Sequence, residues 1–471
     1  MKNSSIIKNS IYNVIYKGFT VIFPLLSSIY TSHVLLAEGV GKVSYANTIA
    51  GYFAVLAALG IPNYGIKAIA QNNDTIEDRS RVFWELICIN TISTSICAFI
   101  YYCLINNIPH FYGRRELFNV SGLIIVLNYF NVDWLYQGLE NYKYIAIRGT
   151  IMRILSFAMV VLFVRDKNDY LIYAFLLCIA VAGNYFVNFI HINKYVIFSY
   201  KNLNLKRHIK SISILVGSTI ATEIYTMLDT IMIEFFYDER YVGLYSNATR
   251  FVRVIYSICI AFVATFYPKL SYYIKNDMRK EYNALLSRGL QVIRLIVMPC
   301  ILGIVLLAKD IITILFGSSF IEATFTLRIL SILILVFSLA YLMGHIFLIS
   351  LGAESQILKA TIIGAVMNLI LNTVLIPLYK HNGAAAASIL SEIAVTFIMI
   401  KFSKNYFSIN VSKKDLRSES IALLMMGVSI IGFLAIFEKS IYRLIVIIPC
   451  AAIIYFGSLL ITKHSFVKSI I

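Results

Sequence analysis

The sequence predicts an all-α polytopic membrane protein with about fourteen transmembrane helices. Three observations carry this prediction. Of 471 residues, 59% are hydrophobic and 14% charged, whereas a soluble domain is about a quarter charged. The apolar residues gather in runs of about twenty, the length a helix needs to cross a hydrocarbon core. The runs are continuous rather than alternating, which excludes a barrel. The links between them are too short to hold a water-soluble domain.

Taken in order, the first span is expected at 11–31, with Lys17 inside it and Pro24 placed to kink it. No small-residue cleavage site follows, so it reads as a retained anchor. The second span, 44–66, begins after the charged stretch AEGVGK. The third and fourth, 82–105 and 117–138, flank the polar link 106–116, and the fourth carries Asn128, Tyr129 and Asn131. The fifth and sixth, 144–164 and 170–191, are separated by RDKND. The basic loop 192–208 then divides the chain. Residues 1–195 are expected to form a six-helix bundle, 196–208 a basic cytoplasmic linker, and 209–402 a second six-helix bundle. The second bundle holds spans at 209–235, 243–267, 290–308, 324–350, 357–378 and 384–401. The pair at 419–437 and 443–462, within 403–471, has no counterpart and reads as appended.

Lys and Arg in alternate connections give the orientation. The termini and even-numbered connections hold 24 of them and the odd-numbered connections 10. The positive-inside rule therefore puts both termini in the cytoplasm. The net charge of +17 is largely this topology signal, and nucleic acid is a poor explanation for it. Laying one half on the other at an offset of 202 matches Gly41, Ser44 and Ala46 with Gly243, Ser246 and Ala248. An even number of spans per half makes such repeats parallel. All seven cysteines fall inside apolar runs and read as small hydrophobes, with no disulfide framework and no zinc spacing.

Charges left inside the spans are the candidates for function, because a cation exposed to lipid costs at least roughly 2.5–3.5 kcal/mol. Arg294 and Arg328 lie near span ends and read as interface anchors. Arg148 lies about 6 Å in and Lys17 roughly 10 Å in, at 1.5 Å per residue. Arg153 and Arg253 lie near mid-depth, and Arg250 shares a helix face with Arg253. The interior carboxylates are Asp133, Glu223, Asp229 and Glu392, while Glu85 and Glu234 lie close to ends. Two readings stand side by side: a cavity that binds an anion, or static ion pairs such as Asp133 with Arg148. In the turn GLENYK, Glu140 and Lys143 are expected to be wet. No P-loop, metal-ligand spacing or nucleophile–base arrangement is present, so the chain reads as a transporter without cofactor, not an enzyme.

Three stretches, AEGVGKVSYANTIAGYFAVLAALGIPNYGIKAIA (37–70), DWLYQGLENYKYIAIRGTIMRI (133–154) and YVGLYSNATRFVRV (241–254), resemble the Wzx-type oligosaccharide flippases of bacterial O-antigen and capsule pathways. These flippases belong to the multidrug/oligosaccharidyl-lipid/polysaccharide (MOP) transporter superfamily. The resemblance implies two six-helix bundles around a central cavity and alternating access in the bacterial inner (cytoplasmic) membrane. The cargo it implies is undecaprenyl-pyrophosphate-linked oligosaccharide, and the partners are the lipid bilayer and other polysaccharide-assembly proteins. Lys17, Arg153, Arg250, Arg253 and Arg148 are then the candidates to bind the anionic head group. Glu223, Asp229, Asp133 and Glu392 are the candidates for counter-ions or for coupling to H+ or Na+. A drug or organic-cation exporter of the same fold is the competing transport reading, and the interior cations argue against it. An integral-membrane polysaccharide polymerase would need a large outer catalytic loop, and none is expected here.

Overall fold

The computed structural model describes residues 2–198, 203–403 and 412–468. Side chains are described for all of these except 2–17, 214–215, 218–222, 224–225, 345 and 468. Among the described residues the chain is helical, with no strand. The helices are α1 (Lys2–Ala58), α2 (Ile61–Gln71), α3 (Ile76–Asn107), α4 (Arg115–Leu127), α5 (Asp133–Gly138), α6 (Tyr142–Phe163), α7 (Tyr170–Ile190) and α8 (Lys206–Phe236). They continue with α9 (Glu239–Ala264), α10 (Tyr267–Lys275), α11 (Arg279–Ile311), α12 (Ala323–Ala340), α13 (Glu354–Ser403), α14 (Lys413–Ile436), α15 (Ile441–Ile461) and α16 (Ser465–Lys468).

Ten described helical stretches are long and apolar enough to cross a membrane, against about fourteen expected spans. Three of the four missing spans have identifiable sources, and the remaining one, expected at 209–235, is α8. Two expected spans share α1, which runs on through Pro24 and breaks instead at Leu36 (φ 59°, ψ −176°). Two more share α13, broken at Lys380 (φ 55°, ψ −137°). The expected fourth span is interrupted: α4 ends at Leu127, a 3-10 turn covers Asn128–Phe130, and α5 begins at Asp133. Buried side chains make that interruption tolerable in an apolar setting. Asn128 Nδ2 donates to Asn90 Oδ1 and Thr94 Oγ1, both at 2.9 Å, and Asn90 Nδ2 donates to the Asn128 carbonyl at 2.8 Å.

By its internal contacts the chain divides into two compact units, Met1–Gly243 and Leu244–Ile471. The helix after the basic linker, α8, packs on α1 and α2 and so goes with the first unit. In the first unit, one end gathers the odd-numbered connections. Lys42 lies over the Tyr170 ring, and Arg114 reaches Glu234 and Glu239. The other end gathers even-numbered ones, with Arg79 Nε donating to the Tyr195 carbonyl and Asn141 Nδ2 to the Tyr195 hydroxyl. The second unit repeats the segregation. Arg443 pairs with Asp310 and Thr326 donates to Asn382 at one end, while Ser271 meets Ser350 and Gln291 donates to Asp415 at the other. This is the alternation that successive crossings require.

The two longer family-like stretches interlock. Trp134 is 2% exposed and lies against Phe83, and a Cβ on Gly65 would run into its indole. Gly138 in turn leaves room for Ile69. The apolar residues of IPNYGIKAIA and DWLYQG are thus one packed core between α2, α3 and α5. A second close approach joins α1 to the start of α9. A Cβ on Gly41 would meet the Glu239 carbonyl, and a Cβ on Gly243 would meet the Ala37 carbonyl. Gly41 and Gly243, like Ala37 and Glu239, are 202 residues apart, so the two approaches are reciprocal.

Candidate functional site

Of the expected head-group cations, Arg148 is placed most definitely. It sits on α6 at 5% exposure, and its Nη2 donates to Asp133 Oδ1 at 3.3 Å. The same oxygen accepts from Asn188 Nδ2, and the guanidinium lies 5.6 Å from the Tyr144 ring centre. Asp133 opens α5 and Asn188 lies near the end of α7, so three elements converge on one carboxylate. Arg148 and Asp133 therefore form the static pair, on the even-connection side of the membrane-spanning region. Glu140, in the turn between α5 and α6, and Lys143, in the first turn of α6, are exposed as expected.

Arg153, five residues further along α6, is half-buried and engaged in an interaction. Arg250 is half-buried and Arg253 exposed on α9. At a spacing of three they share one helix face. Among the described residues neither guanidinium has a hydrogen-bond or ion-pair partner. The side chain of Lys17 lies outside the described residues.

The interior carboxylates separate into two settings. Asp229 on α8 is buried and Glu223, six residues earlier, is half-buried, and both lie within electrostatic range of Tyr52 on α1. Thr226 Oγ1 donates to Glu223 Oε2 at 3.4 Å, while Thr219 lies outside the described side chains. In the second unit Glu392 is 6% exposed on α13, near Tyr256 on α9. Asp229 and Glu392 both have interaction partners.

Three ionic clusters lie at the ends of helices. Glu85 is fully buried and accepts from the Asn204 amide at 2.7 Å, from Arg207 Nε at 2.8 Å and from His208. His208 Nδ1 meets the Tyr64 hydroxyl at 2.8 Å. Glu234 is buried against Arg114 at 2.9 Å and His110 at 3.4 Å. Arg294 makes a two-toothed pair with Glu419 at 3.0 and 3.1 Å, and His464 joins it at 3.3 Å. Arg294 is thus a helix-to-helix tie between α11 and α14 rather than an interface anchor. Arg328 donates to the Val305 carbonyl at 3.1 Å. The sequence signal for all three clusters was a carboxylate near a span end facing a basic link.

Comparison with known proteins gives a consistent family. The chain matches the polysaccharide biosynthesis protein family over residues 6–274 and the lipid II flippase MurJ family over residues 151–452, each more than half its length. It is 22% identical to a putative O-antigen transporter of Escherichia coli over 85% of this chain and 97% of that one. It is 28% identical to a probable low-salt glycan biosynthesis flippase, Agl15, of Haloferax volcanii, over 46% of each chain. Among solved structures, the lipid II flippase MurJ in an inward closed conformation superposes with a TM-score of 0.74 at 17% identity, covering 98% of this chain and 99% of that one. An inward-facing multidrug MATE transporter of the MOP superfamily gives 0.67 at 13% identity, over 82% of this chain and 94% of that one. The structural likenesses establish the fold, and the sequence matches establish the lineage. The chain belongs to the polysaccharide biosynthesis protein family.

Proposed function

We propose that the chain is a flippase that moves undecaprenyl-pyrophosphate-linked oligosaccharide repeat units, for O-antigen or capsule, across the bacterial inner membrane. Cargo passes from the cytoplasmic to the outer leaflet by alternating access between the two halves, with both termini in the cytoplasm. The observation that carries this reading is on α9. Arg250 and Arg253 stand on one face of an apolar helix, and among the described residues nothing neutralises them. Such a pair is costly to maintain unless an anion or a watery path faces it. The planar guanidinium fork binds phosphate oxygens in two places, which suits a pyrophosphate. Arg153 and Lys17 complete the cationic set, while Arg148, tied to Asp133, supports the inner turn.

Moving an anion outward from a negative cytoplasm is downhill. At about 2.3 kcal/mol per charge per 100 mV, two phosphate charges gain several kcal/mol. Glu223 and Asp229 beside Tyr52, and Glu392 beside Tyr256, are the sites at which H+ or Na+ coupling would act.

The test is translocation of lipid-linked oligosaccharide in vesicles holding the purified protein. Arg250→Gln and Arg253→Gln are expected to slow it at least tenfold at unchanged protein level, with partial recovery for Arg253→Lys. Loss that tracks loss of folded protein would assign these arginines a structural role. Extrusion of organic cations in place of glycolipid would assign an exporter.

A further inference from the structure

At the odd-connection end of the first unit a polar cavity of about 520 Å³ opens between α1, the 3-10 turn 109–114 and the starts of α4 and α7. Lys42, Arg114, Arg115, Glu116, Tyr112 and Tyr170 supply its walls. Small-ligand pockets fall at about 300–1,000 Å³, so the volume suits one, or part of a larger ligand. Under the loop-charge topology it faces the outside, where the proposed cargo is delivered.

Three cations suggest an anion trap, but their partners argue otherwise. Lys42 has Glu38 at 2.6 Å, and Arg114 has Glu239 at 2.6 Å and Glu234 at 2.9 Å. Glu116 brings a further carboxylate to the wall. Lys42 and Arg114 are therefore paired, and with Glu116 the nearby carboxylates outnumber the three cations, so a free anion gains little from the net field. What the cavity offers is donors and acceptors side by side with aromatic rings. Arg115 lies 4.5 Å from the Tyr112 ring centre, and its Nη2 donates to the Asn106 carbonyl at 3.1 Å. Lys42 Nζ lies 5.2 Å from the Tyr170 ring centre. A sugar matches this surface: each hydroxyl both donates and accepts, and the C–H face of the ring lies against an aromatic edge or face.

We propose that this cavity is a carbohydrate site that holds sugars of the cargo as they leave on the outer side. The proposal rests on the flippase reading. It requires no charge on the sugar.

The full-length protein in lipid nanodiscs is mixed with the lipid-free oligosaccharide released by mild acid from the lipid-linked pool of the source cells. Saturation-transfer NMR then reads the sugar ring protons. Transfer is expected for the unaltered protein, to fall at least fivefold in Tyr112→Ala and in Arg115→Gln, and to survive in part in Arg115→Lys. Melting temperature in each variant separates lost binding from lost fold, and inorganic phosphate at equal concentration is expected to leave the signal unchanged. Absence of transfer, wild-type transfer in folded Tyr112→Ala and Arg115→Gln proteins, or displacement by phosphate overturns the proposal. Glycolipid translocation in parallel vesicles keeps the two readings apart. A protein that translocates but binds no sugar at this cavity refutes this inference alone. A protein that translocates nothing refutes the flippase reading, whatever the NMR shows.

Discussion

Asp133 accepts from Arg148 and Asn188 through one oxygen, and the contact with the Arg148 guanidinium draws on the carboxylate's charge. Removing one partner of a buried pair costs roughly 3–5 kcal/mol, and Asp133, whose side chain is 23% exposed, belongs at the low end, about 3 kcal/mol. Asp133→Asn is therefore expected to lower the midpoint of thermal unfolding in detergent. Adding Arg148→Met is expected to restore most of the loss, because no uncompensated cation remains. A double variant as unstable as the sum of its parts would show that the two do not form a pair. Backbone strain gives a second residue-scale prediction. Leu36 and Lys380 have positive φ with extended ψ, a region essentially reserved for glycine that costs about 1–3 kcal/mol. Gly317, at φ 93° and ψ 169°, holds the same kind of turn without that cost. Leu36→Gly and Lys380→Gly are each expected to raise stability by about 1 kcal/mol after the entropy of glycine in the unfolded chain is subtracted. Both side chains are exposed, so little packing is lost.

Helices cross most closely where glycine permits it, and the same substitution should act oppositely at different crossings. Gly41→Ala or Gly243→Ala drives a methyl into a carbonyl and is expected to destabilise by about 1–3 kcal/mol. Gly457→Ala, in the interior of α15 with nothing within 4 Å of the added carbon, is expected to stabilise by about 0.5–1 kcal/mol. Equal melting shifts from all three would refute the crossing geometry. Much of this scale was legible in the sequence, since run length alone places a helix in nearly every expected span. The breaks were not. The break in α1 falls at Leu36, which no proline or glycine marks, and the interruption of α4 depends on Asn90 and Thr94, which lie on another helix. Partners distant in sequence also decided the charges. Glu85, Glu234 and Glu419 are buried because Arg207, Arg114 and Arg294 reach them, and a sequence shows depth but not who faces whom.

For the molecule as a whole, the segregation of odd and even connections within each unit supports successive crossings, and labelling can orient them. With the native cysteines replaced, a cysteine at Asp238 is expected to react with an impermeant thiol reagent in intact cells. One at Lys275 is expected to react only after the membrane is opened. The reverse pattern would invert the depth of every charged residue and turn the Tyr112 cavity to the cytoplasm. The crossing of Ala37 and Gly41 with Glu239 and Gly243 bears on the history of the chain. Symmetric dimers meet through one patch used twice, each copy offering both ridge and groove. Here one segment and its repeat do the same within a single polypeptide. A half-length ancestor would have self-associated through this glycine, and duplication with fusion would have made the encounter intramolecular, freeing assembly from dilution. Each glycine would then answer to the other copy of its own segment.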